Sequence, residues 1–133
     1  MRIVSTTLAG PGTESLIIEA LRSVVEWVDV CLVIQTSPDT NPLDAARVIA
    51  GDKLKVERFN WIDDFSAARN AALVSAARLG DWAITVDTDE RIELHGEDIR
   101  GELVSTDDDV VYMRERGGAY SKDRAFRLPA IHR

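Results

Sequence analysis

The sequence predicts an α/β fold: a mostly parallel sheet flanked by helices, with a short strand extension towards the C-terminus. Three observations predict it. Short β-branched and aliphatic runs alternate with segments of helical periodicity up to about residue 90, as in successive strand–helix–strand units. The run VDVCLVI (28–34) is apolar except for one Asp, as in a strand covered on both faces. Gly, Pro and Asp punctuate the joints between segments.

Taken in order, residues 2–8 are rich in β-branched side chains and read as the first strand, which GPG (10–12) ends. Thr13 is placed to cap a helix that runs to about Glu26, with Ile17, Leu21, Val24 and Val25 as its apolar stripe. The buried strand 28–34 follows, then a loop over 36–42. Pro42 suits the first turn of a short helix ending near Gly51. Residues 54–59 form the next strand. Asp63 or Asp64 caps a helix from Phe65 to about Leu79, closed by Gly80. Residues 81–86 form a strand that runs directly into DTDE (87–90). Beyond residue 91 the pattern predicts a helix over 96–104, strands over 110–114 and 124–128, and a turn at Gly117-Gly118.

A chain of 133 residues suits one domain, and 45% hydrophobic content suffices for a core. The formal charge of −7, from 23 acidic and 16 basic residues, disfavours nucleic acid and anionic lipid as partners. Cys31 is the one cysteine and lies in an apolar run, so it reads as core, and the chain can form no internal disulfide. The apolar stretch at the N-terminus is too short for a signal peptide, and no segment approaches the ~20 apolar residues of a membrane span, so a cytoplasmic protein is expected.

Asp87 and Asp89 stand first among groups that could carry chemistry. Ligands of open α/β sheets bind outside the carboxyl ends of the strands, where these residues fall. If the chain stays extended, residues two apart point to one side, and two adjacent carboxylates call for a cation. Mg²⁺ and Mn²⁺ take one or two carboxylates plus substrate phosphates. The other reading is a solvated acidic turn. Arg69 falls within the apolar stripe of its helix, beside Phe65, Ala68, Ala72, Ala76 and Leu79. A cation facing a sheet needs an anion, here Asp64, Asp87 or a ligand phosphate, in a structural or a functional pair. Trp61 reads as a cap on the core, with ligand stacking as the alternative. His95 and His132 lack ligand spacing, and DDD (107–109) reads as a solvated turn.

FNWIDDFSAARN (59–70) followed by GDWAITVDTDE (80–90) closely resembles family-2 glycosyltransferases of the GT-A fold, whose bacterial branch shares W-x-D-D-F-S-x-A-R-N and a G-D-W strand ending in D-x-D-E. The resemblance covers roughly residues 1–94 and is looser over RAFR (124–127) to Ile131-His132. It implies a GT-A-like, Rossmann-type, mostly parallel sheet and a nucleotide-diphosphate-sugar donor site. Residues 1–94 would form the nucleotide-sugar-binding half of a single domain over 1–133. Residues 95–133 would be an abbreviated acceptor-side region, short for a full catalytic domain and consistent with a truncated one.

The resemblance further implies that Asp89 binds the metal of the diphosphate, Mn²⁺ or Mg²⁺. Asp87 would lie near metal and ribose, Arg69 would contact the nucleotide, and Thr7 and Leu8 would line the base pocket. Gln35 stands where the family usually ends its second strand in Asp, and presents an amide to the base. The implied reaction is metal-assisted transfer of the sugar, with inversion, to an acceptor that the sequence does not name. Asp107, Asp108, Asp109 and His132 are the candidate bases. The alternatives are a nucleotide-sugar-binding module without turnover, a metal-dependent phosphoryl-transfer enzyme, and a partner-binding role for the acidic face. Arg91 disfavours the phosphoryl-transfer enzyme, because it stands where those enzymes carry a hydroxyl two positions after the second Asp.

Overall fold

The structure, a computed structural model, describes residues 1–94, 96–114 and 121–129. Its strands are β1 (Ile3–Ala9), β2 (Val30–Gln35), β3 (Leu54–Arg58), β4 (Trp82–Thr85), β5 (Val110–Arg114) and β6 (Ser121–Arg127). Its helices are α1 (Glu14–Arg22), α2 (Asn41–Ala50), α3 (Phe65–Ala77) and α4 (Ile99–Ser105). One six-stranded sheet has the order β3-β2-β1-β4-β6-β5. β1 pairs in parallel with β2 and β4, and β2 with β3, while β6 runs antiparallel to β4 and β5. The mostly parallel sheet with a C-terminal strand extension is therefore as expected.

Alternation along the strands sorts the core into two faces. Ile3, Ala9, Cys31, Val33, Trp82 and Ile84 pack with Ile17 and Leu21 of α1, Val24 of the turn after it, Ala46 of α2, and Ile99 and Leu103 of α4. On the other face Val4, Val30, Leu32, Ile34 and Ala83 meet Ala72, Ala76 and Ala77 of α3. Cys31 is fully buried, as predicted, and burial pushes its thiol up from the ordinary value. Gly80 lets the α3–β4 connection lie on β1, because a Cβ there would meet Arg2 O at 2.9 Å and Val4 Cγ2 at 2.6 Å.

Several local expectations need correction. α1 stops at Arg22 rather than near Glu26. Ser23 turns its hydroxyl back to Ala20 O at 2.6 Å and accepts Ile92 N–H at 3.1 Å, so the following residues wind as turns tied to a distant loop. Thr13 occupies the cap position without capping, since its hydroxyl donates to Gly10 O at 2.9 Å. Asp64, one of the two predicted caps of α3, accepts Ala67 N–H at 3.1 Å. Gly117-Gly118, His95 and His132 lie outside the described residues.

Asp29, the one polar residue in the predicted apolar run, precedes β2. Its carboxylate accepts Ile3 N–H at 2.8 Å and Arg100 of α4 at 2.8 Å. Burial pushes its pKa up, but these hydrogen bonds outweigh burial and hold the carboxyl below its ordinary 3.8.

Candidate functional site

The parallel strands all end on one side, and a cleft of roughly 230 Å³ opens there on the α3 face of the sheet. Thr6 and Leu8 of β1 and Thr85 of β4 form its floor. Ser66, Arg69, Asn70, Ala72 and Leu73 of α3 form one wall, and Arg124 and Phe126 of β6 form the other. Asp87 stands at the rim. Ala68 and Ala72 are nearly inaccessible, and their small side chains bring the helix close enough for Arg69 to reach across the strand ends.

Arg69 donates from Nη2 to Asp87 Oδ2 at 2.6 Å, which selects Asp87 among the partners the sequence allowed. The chain does not stay extended after β4. Glu90 N–H donates to Asp87 O at 2.9 Å, closing a tight turn over residues 87–90. The two aspartates are therefore not presented as strand neighbours: Asp87 is half-buried against Arg69, and Asp89 is exposed at the tip of the turn. Glu90 locks the turn, because its carboxylate accepts Asp87 N–H at 3.0 Å through Oε1 and the Arg124 guanidinium through Oε2.

Among the described residues no group of three or more His, Cys, Asp or Glu side chains could hold a metal by itself. The hard carboxylates of Asp87 and Asp89 suit a divalent cation whose remaining ligands are phosphate oxygens and water.

The other expected site residues divide. Leu8 lines the cleft. Thr7 does not: strand alternation turns it to the opposite face, where its hydroxyl is buried without a hydrogen-bond partner among the described residues. Gln35 ends β2 opposite Ala9, half-buried, beyond the cleft's β1 floor. Asp109 lies at the wrong end of the sheet for a base. Its carboxylate accepts from Arg127 at 3.1 Å, and Arg127 pairs with and stacks on Trp82 at the start of β4, whereas the cleft lies at the end of β4. Asp107 and Asp108 lie in the exposed segment just before Asp109.

Trp61 is not a core residue. Its indole is exposed, donates to Asp63 Oδ1 at 2.8 Å, and meets the exposed Phe65 edge-on with centroids 4.9 Å apart. Asp63 sits at φ 55°, a left-handed conformation uncommon outside glycine. Asp39 ties two strand-end loops together, accepting Gly12 N–H and Asn41 N–H at 3.0 Å each. Those bonds hold its carboxyl below the usual range. Reasoning from sequence gave no role to Glu90 or Arg124. The glutamate directly after D-x-D was the available signal, but the partner on β6 was not readable without the antiparallel register.

This architecture defines a GT-A-like α/β fold. It is shared with the crystallised region 1–349 of TarS from S. aureus at a TM-score of 0.70 and 20% identity, over 87% of this chain and 36% of that one. A mannosyltransferase from Pyrobaculum calidifontis, solved in complex with GDP-Man and Mn²⁺, matches at 0.53 and 16%, over 70% of this chain and 29% of that one. The 4-diphosphocytidyl-2C-methyl-D-erythritol synthase of Anaerococcus prevotii matches at 0.59 and 14%, over 95% and 71%. At these identities the likeness is one of fold.

In sequence, the chain is 41% identical over 95 residues to a TPR repeat-containing protein of Synechococcus elongatus. The match covers 71% of this chain and only 22% of that protein's length. No family model matches the sequence. No helix among the described residues is long and apolar enough to cross a membrane.

Proposed function

We propose that this chain carries the donor site of a metal-dependent glycosyltransferase, which moves a sugar from a nucleotide-diphosphate-sugar to an acceptor with inversion. The observation that carries the reading is the strand-end cleft where Arg69 of α3 meets Asp87 after β4, within a GT-A-like fold. Both residues lie in the segments that resemble family-2 motifs, and a mannosyltransferase of similar fold is described with GDP-Man and Mn²⁺.

In this reading Leu8 and Gln35 contact the nucleoside side of the donor and Arg69 its diphosphate. Asp87 and Asp89 hold Mn²⁺ or Mg²⁺. A divalent metal there would neutralise charge that builds on the diphosphate as the sugar–phosphate bond breaks. Residues 1–94 form the donor half of one domain over 1–133, with Arg124 and Phe126 of β6 as its outer wall.

The test is a thermal-shift panel of UDP, GDP, CDP and dTDP, each with Mn²⁺ or EDTA, on wild type and Asp89→Asn. A ligand at about 100 times its Kd adds about 2.7 kcal/mol, which moves the midpoint of a domain this size by roughly 5–15 °C. One nucleotide should give that shift only with Mn²⁺, and Asp89→Asn should abolish it while the unliganded midpoint stays put. Equal shifts in wild type and variant would sink the assignment.

A second reading is a donor-binding module without turnover. The position of Asp109, one of the candidate bases, at the far end of the sheet favours it, with Asp107 and Asp108 in the exposed segment just before it. Release of nucleoside diphosphate from the matching sugar nucleotide, across a panel of acceptors, separates the two.

A further inference from the structure

We propose that Arg69 and the divalent cation compete for Asp87, so that Asp87 is balanced by a side chain of its own cleft before the donor binds and donor binding proceeds by exchange of partners. Asp87 would pass from Arg69 to the cation, and the released guanidinium would take the diphosphate. This rests on the metal-site part of the reading above and goes beyond it by giving Arg69 a role before any ligand arrives.

The cleft holds two cations, and each is already paired to a carboxylate of the same turn: Arg69 to Asp87, and Arg124 to Glu90. With Asp89 exposed at its tip, the 87–90 turn carries three carboxylates against these two guanidiniums, in a chain of net charge −7. A diphosphate arriving alone therefore meets no free positive charge from these groups. A divalent cation arriving alone meets a guanidinium 2.6 Å from the carboxylate it needs. Together the two ligands satisfy every group: each carboxylate keeps a cation and each cation an anion.

The two pairs are not equivalent, and the difference identifies the one that exchanges. Arg124 and Glu90 are 13% and 23% exposed at the side chain, and Glu90 also holds the Asp87 amide, so breaking this pair would undo the turn. Arg69 and Asp87 are 40% and 28% exposed, and their pair is a single contact from one Nη. Arg69 swings on a long side chain from a helix that is otherwise anchored by alanines. The Asp87 backbone stays fixed by Glu90 throughout.

The experiment is a titration of Mn²⁺ alone, read by electron paramagnetic resonance, on wild type, Arg69→Gln and Arg69→Gln/Asp87→Asn. Removing the competitor should tighten Mn²⁺ binding by about tenfold, within the usual range of coupling between sites. The second substitution should cancel the gain. Mn²⁺ affinity that is unchanged or weaker in Arg69→Gln overturns the proposal. A wild-type measurement covers failure of that variant to fold: Mg²⁺ should shift the Arg69 side-chain N–H resonances, assigned with Arg69→Lys, and unmoved resonances overturn the exchange. A nucleotide response in the thermal panel with no Arg69 effect on Mn²⁺ sinks the exchange alone. An Arg69 effect on Mn²⁺ with no nucleotide response sinks the donor reading and leaves the competition for Asp87 intact.

Discussion

The two faces of the sheet are built on different plans. Against α1, α2 and α4 the sheet packs large side chains, Trp82, Ile17, Leu21 and Ile84 among them, with essentially no exposure. Against α3 it packs alanines, one of which, Ala72, lines the cleft. The first face buries apolar area, about 25 cal/mol for each Å² removed from water. The second gives up side-chain volume for close approach, which brings Arg69 within reach of Asp87. Large-side-chain packing is concentrated on one side of the sheet and the candidate site on the other.

The largest expected effect that tests this division is on the packed face. Leu21→Ala should cost about 3 kcal/mol, read from urea denaturation, because a fully buried leucine leaves a cavity. A loss under about 1 kcal/mol would mean that this face is looser than its burial indicates. Next in size is the opposite substitution on the opposite face. Ala72→Leu should cost about 2 kcal/mol by overpacking and should also remove the nucleotide-induced thermal shift, since Ala72 lines the cleft. Retained binding with that leucine in place would show that the ligand sits elsewhere.

The smallest effect sharpens the comparison through pH. The folded pKa of Asp29 is depressed, so its contribution is present above the ordinary 3.8 and is lost as pH falls through the folded value. Wild type should therefore lose more Tm than Asp29→Asn as pH falls from about 4 to 2. Parallel curves would remove Asp29 as the acid-sensitive link between β1 and α4.

The packed face was the more legible one in the sequence. Apolar runs and helical periodicity carry the information that burial needs, and every strand and helix they indicated is present. The misreadings cluster where tertiary partners override local pattern. Ser23 ends α1 early because its hydroxyl serves a loop some seventy residues away. Phe65 and Trp61 are apolar yet exposed, because they meet each other rather than the core.

Site residues were legible as types but not as a geometry. Arg69 stood out as a cation on an apolar stripe, and Asp87 as a carboxylate at a strand end. The turn that separates Asp87 from Asp89 depends on Glu90 and Arg124, and their meeting depends on β6 lying antiparallel beside β4. Thr7 was misplaced by one step of the pleat, which moves a side chain to the other face.

The strand order has a bearing on biosynthesis. β6 comes last among the described strands, yet it is inserted between β4 and β5. A polypeptide leaves the ribosome N-terminus first, so β1 to β4 can associate while the outer flank of β4 still has no neighbour. Arg124 and Phe126 close that flank. Until residues 121–127 emerge, the Arg124–Glu90 pair cannot form and the cleft lacks its second wall. The cleft is thus completed during synthesis only when β6 is in place.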